Sequence, residues 1–168
     1  MTVSHVVLRP SNISKTLICI DSFHGTEFNG RLFNPYVICP VKFSGSFGMV
    51  KQLEKMMDYF SFPEPTFQYR TFRTRKQRNP ERKNSREVHR CMSDDIMEEK
   101  QGERATFVVQ VQFRQNATWQ GTIQWLDQKK SQRFRSVLEM IKLMDQALSE
   151  EYELEDLVRW ELMPDKAI

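Results

Sequence analysis

The sequence predicts an α+β domain made of two copies of an antiparallel βββα unit packed with approximate twofold pseudo-symmetry. Three observations carry that expectation. A block reading aromatic, amide, glycine, polar, aliphatic occurs twice, as Phe28-Asn29-Gly30-Arg31-Leu32 and as Trp119-Gln120-Gly121-Thr122-Ile123. A second block follows each in the same order: Phe47 to Asp58, set against Phe134 to Asp145, matches at Phe, Val, Lys, Met and Asp. In both halves the apolar spacing then changes from strand-like alternation to the three-and-four spacing of a helix.

The first unit spans residues 15–61. Lys15 to Phe23, Glu27 to Leu32 and Tyr36 to Phe43 read as strands. Ser46 is the expected cap of a helix running to about Phe60, with Val50, Leu53, Met56, Met57 and Phe60 on its buried stripe and Pro63 and Pro65 stopping it. Thr66 to Phe72 alternates well enough for a seventh strand.

The second unit, 105–149, has the clearer signals. Thr106 to Phe113 is rich in β-branched and aromatic residues, Thr118 to Leu126 returns, and Gln132 to Arg135 makes a short third strand. Alternation places Trp119, Gly121, Ile123 and Trp125 on one face. A glycine there admits a neighbouring ring or backbone, or else marks a bulge. Ser136 with Glu139 forms a capping box, and Val137, Met140, Ile141, Met144 and Leu148 recur at helical spacing. A unit of about 45 residues is too small to bury a sufficient core alone, so the copies are expected to share one within a single domain.

The run Trp119-Gln-Gly-Thr-Ile-Gln-Trp125, followed by Phe134-Arg-Ser-Val-Leu-Glu-Met-Ile141, resembles a pattern in small uncharacterised bacterial proteins, and Phe28-Asn-Gly-Arg-Leu-Phe-Asn-Pro35 resembles the partner half of duplicated members. The resemblance covers about two thirds of the chain. It implies a bacterial source and this architecture, and no activity.

Functional expectations come from charge. The 168-residue chain carries 25 Lys plus Arg against 22 Asp plus Glu, a net of +3. Nine of those cations and only two carboxylates lie between Arg70 and Arg90, so that stretch is +7 and the remainder −4. Within a basic-then-acidic connecting segment, residues 66–104, the candidate polyanion contacts are Arg73, Arg75, Lys76, Arg78, Arg82 and Lys83. Guanidinium forks match phosphate or carboxylate bidentately, and a concentrated positive stretch attracts nucleic acid in a salt-dependent way. Phe67, Tyr69 and Phe72 lie where they would stack on bases, or serve as core if the seventh strand forms. The competing reading makes the segment a solvated connection that folds onto the acidic stretch beside it.

The C-terminal segment, 150–168, sets Leu154, Leu157 and Trp160 among carboxylates. It supports a rival function, a protein-only adaptor or inhibitor acting through this segment or the sheet face. A third option places a small-ligand pocket between the halves.

Catalytic and metal chemistry finds little footing. There is no phosphate loop, nucleophile elbow or dinucleotide fingerprint, and His5, His24 and His89 fall in no metal-binding pattern. Cys19, Cys39 and Cys91 are odd in number and widely spaced, which suits a reducing compartment. Asn12-Ile13-Ser14 and Asn116-Ala117-Thr118 match glycosylation acceptors without a secretion signal beside them. No stretch approaches the roughly 20 apolar residues of a membrane span. The expectation is a non-enzymatic cytoplasmic binding protein, without cofactor or metal, whose partner is nucleic acid or an acidic protein surface.

Overall fold

The computed structural model describes residues 10–72 and 87–149. Strands β1 (Lys15–His24), β2 (Glu27–Phe33), β3 (Val41–Ser44), β4 (Ala105–Gln115), β5 (Thr118–Trp125) and β6 (Lys130–Phe134) form one antiparallel sheet in the order β3-β2-β1-β4-β5-β6. Helices α1 (Gly45–Phe60), α2 (Asp94–Glu98) and α3 (Val137–Leu148) complete the α+β architecture. The two longest strands, β1 and β4, pair at the centre, with Ile18 opposite Phe107 and Thr16 opposite Val109.

Strand alternation divides the side chains between two faces. Ile18, Ile20, Phe28, Leu32, Phe107, Val109, Trp119 and Ile123 join Met49, Leu53 and Met57 of α1 and Met140, Met144 and Leu148 of α3 in one core cluster. Full burial of an aliphatic or aromatic side chain contributes about 1.5–3 kcal/mol, so this one core, drawn from every strand and from both longer helices, is a main source of stability. On the opposite face Leu17, Cys19 and Phe33 form a smaller cluster with Met97 of α2 and Val108 against it.

Each hairpin closes around a glycine. Gly30 lies opposite Ile20 on one side and Phe43 on the other, and Gly121 opposite Val111 and Phe134. A β-carbon at Gly121 would run into the Gln110 carbonyl and stand 3.0 Å from the Phe134 ring; at Gly30 the obstacles are the Cys19 carbonyl and the Phe43 ring at 3.1 Å. The partner strand shifts register beside each glycine, between Ile20 and Ser22 and between Val111 and Phe113. Close approach and bulge, set out as alternatives from the sequence, occur together.

Several local expectations are corrected. The third strand begins at Val41 rather than Tyr36, because buried Asn34 accepts the Tyr36 N–H and donates to the Ile13 carbonyl, turning the chain before Pro40. The first helix is capped at Ser44, not Ser46, and Asn29 of β2 accepts the Gly45 N–H in place of a local side chain. Met49 is buried where Val50 is only partly so, and Phe47 is 77% exposed. Phe43, rather than Phe47, therefore occupies the place across from glycine that Phe134 occupies in the second half. The first helix ends on Ser61, in the left-handed region at φ 50°, ahead of the prolines credited with stopping it. Thr66 to Phe72 is not a strand; Pro65 alone bridges to Arg114. The short α2, capped by Ser93 through the Ile96 N–H, has no counterpart among the expected elements.

Helix α3 is capped at Ser136 as expected, but the return bond of the capping box falls one residue early. Ser136 accepts the Glu139 N–H at 3.0 Å, while the Glu139 carboxylate takes the N–H of Arg135, one residue before the cap.

Candidate functional site

The connecting segment is tied to the domain at both ends. Leaving α1, it passes Arg114, whose side chain is 1% exposed and donates to the Pro63 carbonyl at 2.6 Å and to Asp58 at 2.8 Å. The Thr66 N–H bonds the Arg114 carbonyl, continuing the ladder where β1 no longer pairs with β4. Tyr69 accepts a hydrogen bond from the Trp119 indole and donates one to Glu54; burial raises its hydroxyl pKa, with Trp119 opposing and Glu54 adding to the rise. Phe67 meets the Tyr69 ring edge-on at 4.8 Å. Two of the three aromatics proposed for base stacking are thus engaged with the domain, although Tyr69 keeps 36% exposure. Phe72, at 112% relative exposure, stands fully in solvent at the threshold of the basic stretch.

At the other end, the Cys91 and Met92 N–H groups both bond the Pro35 carbonyl, and Val88 packs against the core. Glu87, Val88, His89 and Cys91 form one wall of a groove of about 630 Å³ beside α1, whose other lining includes Tyr36, Val41, Met56 and Tyr59. Arg90 is taken up by Asp94 and by the Met92 carbonyl. The anchors therefore flank α1, with Tyr69 at Glu54 and Val88 in the groove beside Met56. Both ends of the basic stretch open on the helix-bearing side of the sheet.

The candidate contacts Arg73, Arg75, Lys76, Arg78, Arg82 and Lys83 lie outside the described residues, as do Leu154, Leu157 and Trp160. Nothing in the sequence signalled the anchors that hold the segment, because Arg114 and Tyr69 find their partners 56 and 50 positions away.

The face without α1 and α3 is polar over β4–β6. Lys15, Gln110, Thr122 and Arg133 stand in register across four strands, without a carboxylate among them. On the β1–β2 half, Arg31 donates two hydrogen bonds to Asp21, at 2.7 and 2.9 Å, and a third to the Gln101 carbonyl. The Arg31 bond holds the Asp21 carboxyl below the usual carboxylate range, against a smaller opposing effect of burial. The pair's contribution is complete above the unfolded carboxylate pKa and disappears as pH falls through the lower folded value. With Asp21 about a quarter exposed (27%), Asp21→Asn is expected to cost up to about 1 kcal/mol near neutrality and nothing at the acid limit, as checked by thermal unfolding at several pH values.

Burial pushes the Cys19 thiol up to about 11, so it stays protonated near neutrality. Cys39 and Cys91 are exposed and both line the α1 groove. Among the described residues, no cluster of three or more His, Cys, Asp or Glu side chains could hold a metal ion, and no helix is long and apolar enough to cross a membrane. No protein-family model matches the chain, and neither a curated protein nor a solved structure is detectably similar to it.

Proposed function

We propose that this chain is a non-enzymatic, cytoplasmic binding protein: a duplicated βββα domain that presents the basic connecting segment to a polyanion, foremost nucleic acid. Support for duplication comes from a single displacement of 91 positions, which relates Phe28 to Trp119, Gly30 to Gly121, Phe43 to Phe134 and Met49 to Met140. Each of these eight residues lies in the core or in a glycine seat beside it. The displacement also relates Leu53 to Met144 and Met57 to Leu148, so strands and helix share one alignment without a gap.

The polyanion reading rests on one observation, the confinement of +7 to Arg70–Arg90 in a chain of only +3, with both flanks of that stretch anchored to one side of the domain. Anchored flanks fix where the basic stretch leaves and rejoins the domain, and a concentrated run of one charge raises the local potential. The segment's other interactions leave Arg73 to Lys83 as its main charge, because Arg90 is already paired with Asp94.

Six phosphate contacts on single-stranded RNA correspond to a slope of roughly −4 in log K against log salt. Reversing Arg73, Arg75 and Lys76 to glutamate is expected to abolish that binding in fluorescence anisotropy and to leave the thermal unfolding midpoint almost unchanged. If the native chain binds neither RNA nor DNA at low salt, the polyanion reading fails.

A further inference from the structure

We propose that the groove between α3 and β6 is the docking site of the chain's own carboxy-terminal segment, residues 150–168. The groove holds about 420 Å³, with Phe107, Ile123 and Trp125 as its floor, Leu143 and Ala147 of α3 as one wall, and Lys130 at its rim. The floor rings of Phe107 and Trp125 stack with centroids 6.3 Å apart, and the Lys130 ammonium stands 5.8 Å from the Trp125 ring centre. The corresponding groove, between α1 and β3, takes one of its walls from a chain segment outside the helix and strand: Glu87, Val88, His89 and Cys91 line it, with Val88 packed on the core. Among the described residues, no such segment lies along the α3 groove.

Length, position and charge select the occupant. The described chain stops at Ser149, directly after the α3 residues that wall the groove, and nineteen residues follow. At about 3.3 Å per residue they reach about 60 Å, far more than the distance back along a twelve-residue helix. That segment carries seven carboxylates against Arg159 and Lys166, a net of −5, with Leu154, Leu157 and Trp160 among them. Lys130 lines the rim, and the β5–β6 turn, with Lys129 and Lys130 against Asp127 on the Trp125 indole, is net positive, the opposite sign. Apolar side chains thus meet an aromatic floor while carboxylates meet lysines. This inference does not depend on the polyanion reading, and its test contains no nucleic acid.

The test is nuclear magnetic resonance on the full chain. Nuclear Overhauser contacts are expected between the Trp125 ring or the Ala147 methyl and the methyls of Leu154 or Leu157. In the double variant Leu154→Asp, Leu157→Asp these contacts vanish and the Trp125 indole resonance shifts, while the Trp119 indole, locked to Tyr69, stays in place. Ala147→Glu spoils the groove from its own side and should give the same loss with the same Trp119 control. Absence of the contacts in the native chain overturns the proposal, as does a Trp125 resonance that moves in neither variant. Contacts that grow with protein concentration also overturn it, because they assign the groove to a second copy.

Discussion

Gly121→Ala is expected to destabilise the domain by about 3 kcal/mol or more, at the upper end of what overpacking costs. The added methyl group has no free direction. One neighbour is the backbone carbonyl of Gln110, which cannot swing aside without breaking the β4–β5 ladder, and another is the Phe134 ring, itself buried beneath α3. The same substitution at Gly30 meets the Cys19 carbonyl and the Phe43 ring, and a loss of similar size is expected. Gly48 makes the contrast. It lies inside α1 with open space where a β-carbon would go, so Gly48→Ala should stabilise by about 0.5–1 kcal/mol through helix propensity. Denaturant unfolding of the three variants checks the ordering. Equal stability of Gly48→Ala and Gly121→Ala would contradict close packing at the hairpin glycine.

That contrast shows how much of the fold was legible. Gly121 stands out because it interrupts an apolar alternation, Trp119, Ile123 and Trp125, that is otherwise uniform, and local alternation is the signal a sequence transmits most directly. The cap at Ser136 is likewise local and stands where the sequence puts it, although the Glu139 carboxylate returns to Arg135 rather than to the cap itself. The first half was harder because its partners are distant. Ser44 precedes a helix whose first N–H, that of Gly45, is taken by Asn29 sixteen residues earlier, and the turn after Phe33 is set by Asn34 reaching the carbonyls of Ile13 and Lys15. Aligning Phe47 with Phe134 gave more identities than aligning Phe43, but burial selects the latter; identity at an exposed position carries no packing information. The basic segment was legible as charge alone. Its tethers, Arg114 and Tyr69, read as an ordinary strand cation and an ordinary loop aromatic until the fold brought Asp58, Pro63, Trp119 and Glu54 to them.

The Arg114 tether leads to the other large effect. Asp58→Ala is expected to cost about 3–5 kcal/mol, because it leaves a guanidinium that is 1% exposed with the Pro63 carbonyl as its one remaining partner among the bonds described above. Arg114→Met should cost less, about 1–3 kcal/mol. It removes the buried charge, fills much of the same volume and strands only the Pro63 carbonyl, while Asp58, at 48% exposure, turns to water. The asymmetry follows from which partner is buried rather than from the strength of the ion pair, so the double variant should be more stable than Asp58→Ala alone. A cycle of the four proteins in urea tests this. If Asp58→Ala is the milder single change, or if adding Arg114→Met to it deepens the loss, then the cation is not electrostatically stranded and the tether holds by its shape. The same cycle bears on function, since Arg114 fixes the path of the chain between α1 and the basic stretch: Arg114→Met, still folded, should weaken RNA binding less than reversal of Arg73, Arg75 and Lys76, because it frees one end of the segment without removing any of its charge.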